Sequence, residues 1–512
     1  MRTPLILIFF SFLAFFSKSN AQDTSNNKSW RTLIVFFDGL RPDYITPAIM
    51  PNLHAFKQKG AYGNQHHSVF PTVTRVNSSS YSTGSYPEKH GLMGNTVYFP
   101  EVNRTKGLNT GDAENLNKIN QASGGKLLTS VSIGEVLAKA GQKMMVFSSG
   151  STGQALLQNH TLSGGAIINP DMILPAEIKE SVIQQIGVVP GTKAERHRWV
   201  ADALIHYGFA NDGPLVNAIW FSDPDGNAHE HGIGSPEAMA SIKEVDKQFG
   251  RIINTLTSLG KINNFNILIS TDHGFVTYIG KENLTEFLVK QGLKESAESE
   301  DVIVSEGAIY VKDHKEEKIR QIVSILQRQT WIGGIFTKAS SKDPLKGFVD
   351  GTLSFESIHW AHPERAADIL VDKNWNDDKN AFGYAGSSYS KGVAGHGSLS
   401  PYEVHIPFIV SGPAFKRSFT SKLPTSNVDI VPTVLNLHGL QIPASMNGRV
   451  VTELMKGGHA VPKFHKEEIS VQASSLEGTY SQTLYRTVSE KYQYVDKVKV
   501  SREPSQTMGI KK

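Results

Sequence analysis

The sequence predicts an α/β protein: a central, mostly parallel sheet flanked by helices, with a small α/β subdomain inserted late in the chain. Three observations carry this. Apolar β-type runs alternate with helix-like segments from residue 32 to residue 272, the pattern of a parallel sheet covered on both faces. Chemistry-bearing residues follow these runs or sit in a glycine-rich turn: Asp38-Gly39, Asp225 with His229, Asp272-His273-Gly274 and Gly395-His396-Gly397. Between residues 277 and 384 the texture changes and no segment carries such a cluster.

The elements follow in order. Residues 4–16 are apolar, follow Arg2 and lead to Ser19-Asn20-Ala21, so residues 1–21 read as a secretory signal peptide cleaved after Ala21. The run is too short to span a bilayer and no second one follows, so no membrane span is expected after cleavage. Residues 22–29 form a polar lead-in. A strand is expected at 32–37 and a helix at 50–59. Another helix should start near 77–83 after the turn at 71–74, because small polar residues favour helix N-termini. Residues 99–125, rich in Asn and Gly, read as a surface excursion. A helix at 131–140 and a strand at 143–148 follow. Residues 238–259 form an amphipathic helix, with Ile242, Val245, Phe249, Ile252, Ile253 and Leu256 on one face.

Within the insertion, helix, strand, helix and strand are expected at 284–291, 302–311, 316–328 and 366–371. A strand at 406–411 returns to the main sheet and a helix follows at 427–438. The expected division is a catalytic domain of residues 30–276 and 385–465, an inserted subdomain at 277–384 and a charged C-terminal tail at 466–512.

The 512-residue chain has no cysteine and a net charge of +4. A long extracellular eukaryotic protein would ordinarily carry disulfides, so a secreted or periplasmic bacterial setting is expected. The small charge argues against coating of nucleic acid and gives only mild attraction for anionic substrates. Asn-x-Ser/Thr sequons at Asn27, Asn77, Asn103, Asn159 and Asn283 read as chance occurrences.

Asp38, Asp225, His229, Asp272, His273 and His396 offer carboxylates and imidazoles at strand ends or glycine turns. Any one alone would be a turn, cap or surface residue. Together they suit two zinc-like ions with open positions for substrate, and the same donors tolerate manganese or cobalt. Two ions roughly 4 Å apart can grip the attacking and leaving oxygens of an in-line phosphoryl displacement. Such a site belongs at the carboxyl ends of the strands of an open α/β sheet. Thr74, after Pro71-Thr72-Val73 and before a helix N-terminus, is the candidate nucleophile, because a metal can lower a hydroxyl pKa and backbone N–H groups favour an anion there. Asn95, closing Gly91-Leu92-Met93-Gly94, could donate to a non-bridging phosphate oxygen. Ser148-Ser149-Gly150-Ser151-Thr152-Gly153 lacks the Gly-Lys-Ser/Thr ending of a P-loop and reads as a turn. His66, His67, His359 and His362 are candidates of lower weight.

These residues carry a resemblance. Asp38-Gly39 with Arg41, Pro71-Thr72-Val73-Thr74, Thr83-Gly84-x-x-Pro87-x-x-His90-Gly91 with Asn95, Pro224-Asp225-x-x-x-His229-x-x-Gly232, Thr271-Asp272-His273-Gly274 and Gly395-His396-Gly397 occur in that order. The series resembles the type I phosphodiesterase/nucleotide pyrophosphatase family of the alkaline phosphatase superfamily. The resemblance implies an alkaline-phosphatase-like fold and two zinc ions. One would be held by Asp38, Thr74, Asp272 and His273, the other by Asp225, His229 and His396. It also implies Thr74 as nucleophile, Asn95 as phosphate-oxygen donor, and a covalent phosphothreonine that is then hydrolysed. The expected substrate is a small phosphorylated molecule, a nucleotide among the options.

The chain departs from the family where nucleotide-cleaving members place an aromatic after the nucleophile: Arg75 stands there, and Trp220 is expected to supply the other wall of a base slot. Pointing inward, Arg75 could take two phosphate oxygens and favour a monoester or phosphonate. Pointing outward, it is a solvated helix-start residue. The readings carried forward are a phosphodiesterase or pyrophosphatase, a phosphomonoesterase or phosphonate hydrolase of the same superfamily, and a non-catalytic binding protein on the same fold. A sulfatase is disfavoured, because no Cys/Ser-x-Pro-x-Arg signature surrounds Thr74.

Overall fold

The computed structural model of the protein describes residues 30–162, 164–458, 462–489 and 491–505. The expected signal peptide and polar lead-in lie outside them. The main sheet has nine strands, with Arg31–Phe37 at its centre. Val216–Phe221 pairs with it in parallel on one side and Phe265–Ser270 on the other. Beyond the first come Met144–Ser148 and Ala166–Asn169, both parallel, then antiparallel Met172–Leu174. Beyond the second, His405–Ser411 and Ala61–His67 are each antiparallel to their inner neighbour, and Phe419–Ser426 closes the edge in parallel.

The central strands are continuous apolar runs because both faces are covered. Strand residues alternate in direction. Ile34, Phe36, Ala218, Trp220 and Leu268 therefore pack with Tyr81 of the helix Thr74–Thr83, all fully buried. Leu33, Val35, Phe37, Ile219, Phe221 and Ile267 pack on the opposite face against Ile242, Val245, Phe249, Ile252 and Leu256. Those five lie on the helix Pro236–Ser258, whose Ser235 cap accepts from Ala238 N and whose first residue is proline.

Between Val276 and Gly395 the chain leaves this sheet and builds two smaller ones. Val276–Gly280, Trp375–Lys379, Ala385–Lys391 and Ala394–Gly395 form one. Val302–Ser305, Ala308–Val311, Ile332–Thr337, Leu353–Ser354 and Ile369–Lys373 form the other, which buries Ile309, Ile332 and Ile335 with Ile319, Ile322 and Val323 of the helix Glu316–Gln327.

Three expectations need correction. The strand expected at 302–311 is two strands, because Glu306-Gly307 turns the chain into a hairpin with Ser305 opposite Ala308. The excursion at 99–125 contains the helix Ala113–Ala122, capped by Asp112 and buried through Leu116 and Ile119. The region expected as a tail contains a three-stranded antiparallel sheet, His465–Ser475, Gly478–Val488 and Gln493–Pro504. Its alternating residues Leu484 and Val498 are buried, and Gln482 bonds both the N–H and the carbonyl of Ile335. The period-two pattern there is diluted by Lys, Arg and Glu on the outer face, which is why composition alone read as a tail.

Candidate metal centre

Adjacent parallel strands place three carboxylates together. Phe37 lies opposite Phe221 and Ser270 opposite Phe36, so neighbouring strands end within one residue of each other and the loops bearing Asp38, Asp225 and Asp272 leave the sheet together. Gly39 permits the first turn: its φ is +72°, and an added Cβ would lie 3.0 Å from the Phe275 ring and 3.2 Å from the Asp225 backbone. Gly274 lets the last loop pass the main chain of Tyr402, where a Cβ would collide with the carbonyl. Pairing of Val276 with Gly395 then carries His396 to the same place.

The atoms converge. His273 Nε2 lies 3.0 Å from Asp272 Oδ2 and 3.6 Å from Asp38 Oδ1. His229 Nε2 and His396 Nε2 lie 3.2 and 3.3 Å from Asp225 Oδ1. Two overlapping groups close enough to share ions result: Asp225, His229 and His396, and Asp38, Asp225 and His273. Asp272 touches the second group through His273. Thr74 Oγ1, at the first turn of its helix, lies 3.3 Å from His273 Nε2.

Each imidazole is oriented through Nδ1, which lies 2.9 Å from Gly274 O in His273, 2.9 Å from Ala394 O in His229 and 2.8 Å from Thr72 O in His396. Donation to those carbonyls leaves every Nε2 free to bind a metal. Asp38 Oδ1, Asp225 Oδ1 and Asp272 Oδ2 are buried without a hydrogen-bond donor. A buried acceptor without a partner costs about 1–3 kcal/mol, more when charged. Divalent cations would satisfy all three oxygens, so this donor set fits them.

The electrostatics agree. Burial, then the neighbouring Asp272 and Asp225, hold the Asp38 carboxyl well above its ordinary value. Burial also works against Asp225, yet the imidazoles of His229 and His396 beside it hold its carboxyl well below the ordinary range. Burial, then repulsion from His273, lowers His396 to about 4, leaving a neutral imidazole suited to ligation.

Thr72 and Asn95 brace the chain on either side of Thr74. Thr72 Oγ1 donates to Ser398 O at 2.8 Å and accepts from Gly397 N at 3.1 Å, tying the loop before Thr74 to the His396 turn. Asn95 Oδ1 accepts from Arg75 N at 3.0 Å, which holds the side-chain amide at the first turn of the helix. The Arg75 side chain is partly enclosed, with Nε buried and the guanidinium beside Gly111. Burial pulls the guanidinium below its ordinary value, opposed first by Glu306. A cavity of about 490 Å³ opens beside the centre, lined by Asn95, His229, His396, Glu306, Lys373 and Lys391 among others.

Trp220 is not a wall of this cavity. It is fully enclosed, stacks on Phe36 with ring centroids 4.5 Å apart, and donates from Nε1 to Asp38 Oδ2 at 2.9 Å. A strand residue two positions before the chain leaves the sheet points into the helix layer, which sequence spacing to Asp225 concealed. His359 stacks on Tyr86, His362 bonds Thr129, His66 bonds Thr425 and Asn427, and His67 bonds Asp496, so all four are held in packing. Ser151 caps the helix Thr152–Gln158, consistent with the turn reading. Asn77 and Asn159 are fully buried. Residues not singled out from sequence are Glu306, Thr72, Glu403 and the pair His197–Asp223. Only Glu306-Gly307, a two-residue turn between apolar runs, carried a readable signal.

A family model described as type I phosphodiesterase/nucleotide pyrophosphatase matches residues 32–377. The chain is 22% identical over 429 residues to the bis(5'-adenosyl)-triphosphatase enpp4 of Xenopus laevis, covering 82% of this chain and 80% of that protein. It is 23% identical over 448 residues to the Bos taurus counterpart, covering 87% and 85%. Among solved structures, murine ectonucleotide pyrophosphatase/phosphodiesterase 5 in complex with AMP superposes with a TM-score of 0.60 at 21% identity, covering 83% of this chain and 100% of that one. Alkaline phosphatase PafA superposes with a TM-score of 0.65 at 16% identity, covering 83% and 98%.

Proposed function

The chain belongs to the type I phosphodiesterase/nucleotide pyrophosphatase family, and from that premise we propose that it is an exported, two-metal hydrolase of small phosphodiesters or pyrophosphates with Thr74 as nucleophile. The observation that carries this reading is the convergence of three donor-less carboxylate oxygens and three oriented imidazoles around Thr74 Oγ1. Asp38, Thr74, Asp272 and His273 would hold one ion, and Asp225, His229 and His396 the other. Zinc suits the mixed oxygen and nitrogen donors, with manganese or cobalt tolerated. Bound ions would lower the pKa of a hydroxyl beside them and neutralise phosphoryl oxygens.

The protein's own residues do the rest. The first turn of the helix Thr74–Thr83 presents backbone N–H groups and the positive end of its dipole to the phosphoryl group. Thr74 Oγ1 loses its proton to water and attacks phosphorus, the Oγ–P bond forms, and the ester or anhydride O–P bond breaks with its electron pair leaving on the departing oxygen. Water then attacks the phosphothreonine, the Oγ–P bond breaks, and the threonine hydroxyl returns. Asn95, held through Oδ1, offers its NH2 to a non-bridging oxygen as charge builds. The Arg75 guanidinium, directed inward, would supply a second donor group.

Relatives named for adenosine-containing substrates make a nucleotide one candidate. The enclosure of Trp220 and the presence of Arg75 leave neither expected clamp wall aromatic and free, which favours a compact substrate body. Among the described residues no helix is long and apolar enough to cross a membrane. The test is hydrolysis of bis-p-nitrophenyl phosphate and p-nitrophenyl phosphate by zinc-loaded protein with a chelated control. Chelator-sensitive diester preference supports the proposal. Monoester preference moves the enzyme to the phosphomonoesterase reading, and inactivity on both esters with metal bound removes it.

A further inference from the structure

Glu306 stands first at the tip of the hairpin joining Val302–Ser305 to Ala308–Val311. Its φ is +55°, a left-handed conformation that glycine adopts without strain and a side-chain-bearing residue rarely does. The strained tip reaches from the smaller sheet to the catalytic turn. Glu306 Oε2 accepts from Asn95 N at 3.2 Å, and Ser305 Oγ donates to Thr96 O at 2.9 Å. Asn95 in turn accepts from the N–H of Arg75. Glu306 also lines the cavity that holds His229 and His396, and among the carboxylates it acts most strongly on Arg75.

An uncharged residue could serve the structural part of this role. Glycine would suit the backbone, and glutamine would accept from Asn95 N equally well. What glutamate adds, when ionised, is a negative charge in the cavity that Asn95, His229 and His396 also line; burial raises its carboxyl above the ordinary value and Arg75 opposes that shift. That charge acts on the Arg75 guanidinium, offsets part of it, and raises the cost of admitting a second negative charge on the substrate.

We propose that Glu306 is a specificity-determining residue, which sets the site for phosphoryl groups carrying one negative charge, as in diesters, against the doubly charged phosphate of monoesters. The proposal rests on the ester-hydrolase reading above and deepens it.

Glu306→Gln keeps the acceptor and removes the charge. In the zinc-loaded full chain, the ratio of kcat/KM for p-nitrophenyl phosphate to that for bis-p-nitrophenyl phosphate should rise roughly three- to thirtyfold, the span of one charge acting across a partly screened site. An unchanged ratio, or equal losses on both esters, overturns the proposal. A second measurement does not depend on turnover: calorimetric titration of inorganic phosphate into zinc-loaded Thr74→Ala, with and without Glu306→Gln. If the unaltered chain turns over neither ester, the hydrolase reading fails by itself and the titration decides Glu306 alone. Tighter phosphate binding then supports the role, and unchanged affinity overturns it.

Discussion

Trp220 Nε1 donates to Asp38 Oδ2 at 2.9 Å from within the closed core, so a carboxylate of the candidate metal centre is aimed by a residue of the hydrophobic layer beneath it. The donor occupies one carboxylate oxygen and leaves the other, Oδ1, directed at the metal centre without a partner. Trp220→Phe keeps the stack on Phe36 and deletes that donor. Zinc affinity should fall about 10- to 100-fold, the usual effect of losing such a support. Chelator-competition titration reads it. Unaltered affinity would show that the Asp38 backbone alone fixes the ligand.

Thr74 separates chemistry from assembly. Its hydroxyl lies against His273, but the surrounding carboxylates and imidazoles remain when it is removed. Thr74→Ala should abolish ester turnover while metal analysis still finds the ions largely bound, and Thr74→Ser should restore part of the rate. Undiminished turnover in the alanine variant would remove Thr74 from the mechanism.

His197 supports the helix that carries Asp225 and His229. Its Nε2 lies 2.8 Å from Asp223 Oδ2 and its Nδ1 2.9 Å from Ser149 Oγ. Asp223 Oδ1 accepts from both Asn227 N and Asn227 Nδ2 at 3.0 Å, in the first turn of the helix Asp225–His231. His197 and Asp223 are both buried. His197→Leu leaves Asp223 Oδ2 without its donor and should cost about 1–3 kcal/mol in denaturant unfolding. Metal loss should be greater from the Asp225–His229–His396 group than from the one around Asp38. Equal loss from both groups would make His197 a general packing residue.

The residues of the candidate centre were legible because they follow neighbouring strands, and strand ends announce themselves as apolar runs broken by Asp or Gly. Asp38, Asp225 and Asp272 needed only that pattern. The residues that support them did not share it. Thr72 acts through contacts with Gly397 and Ser398 more than 300 positions away, which no local period encodes. Trp220 was visible, but its direction depended on which face of the sheet it occupies. The strands Ala61–His67 and Phe419–Ser426 carry Gly63, Asn64 and Pro424, so their propensity reads as loop until the sheet pairs them. The final three strands are half-covered, and their charged outer face outweighed the buried alternation in composition.

The turn bearing His396 is flanked by two buried acids whose protons belong to the folded state. Asp372 accepts from Leu399 N at 3.0 Å, and Glu403 accepts from Ser398 N at 3.2 Å. Burial raises Asp372 to about 7. Burial, opposed by hydrogen bonds from Ser398 and reinforced by Asp372, raises Glu403 to about 8. An unfolded chain ionises both near their ordinary values of 3.8 and 4.5. Between those values and the raised ones the folded chain binds more protons, so raising the pH favours unfolding. The stability is fully present in acid below the unfolded values and is lost as pH rises through the folded ones. The slope is at most about 1.4 kcal/mol per pH unit for each group. Metal binding strengthens with pH and opposes this trend, so the comparison belongs on chelated protein. Glu403→Gln keeps an acceptor for Ser398 N and gives up one of the two titrating protons. Urea unfolding at pH 5 and pH 8.5 should show the unaltered chain losing more stability than the variant over that interval, and equal losses would mean that Glu403 is already ionised in the folded chain at pH 5.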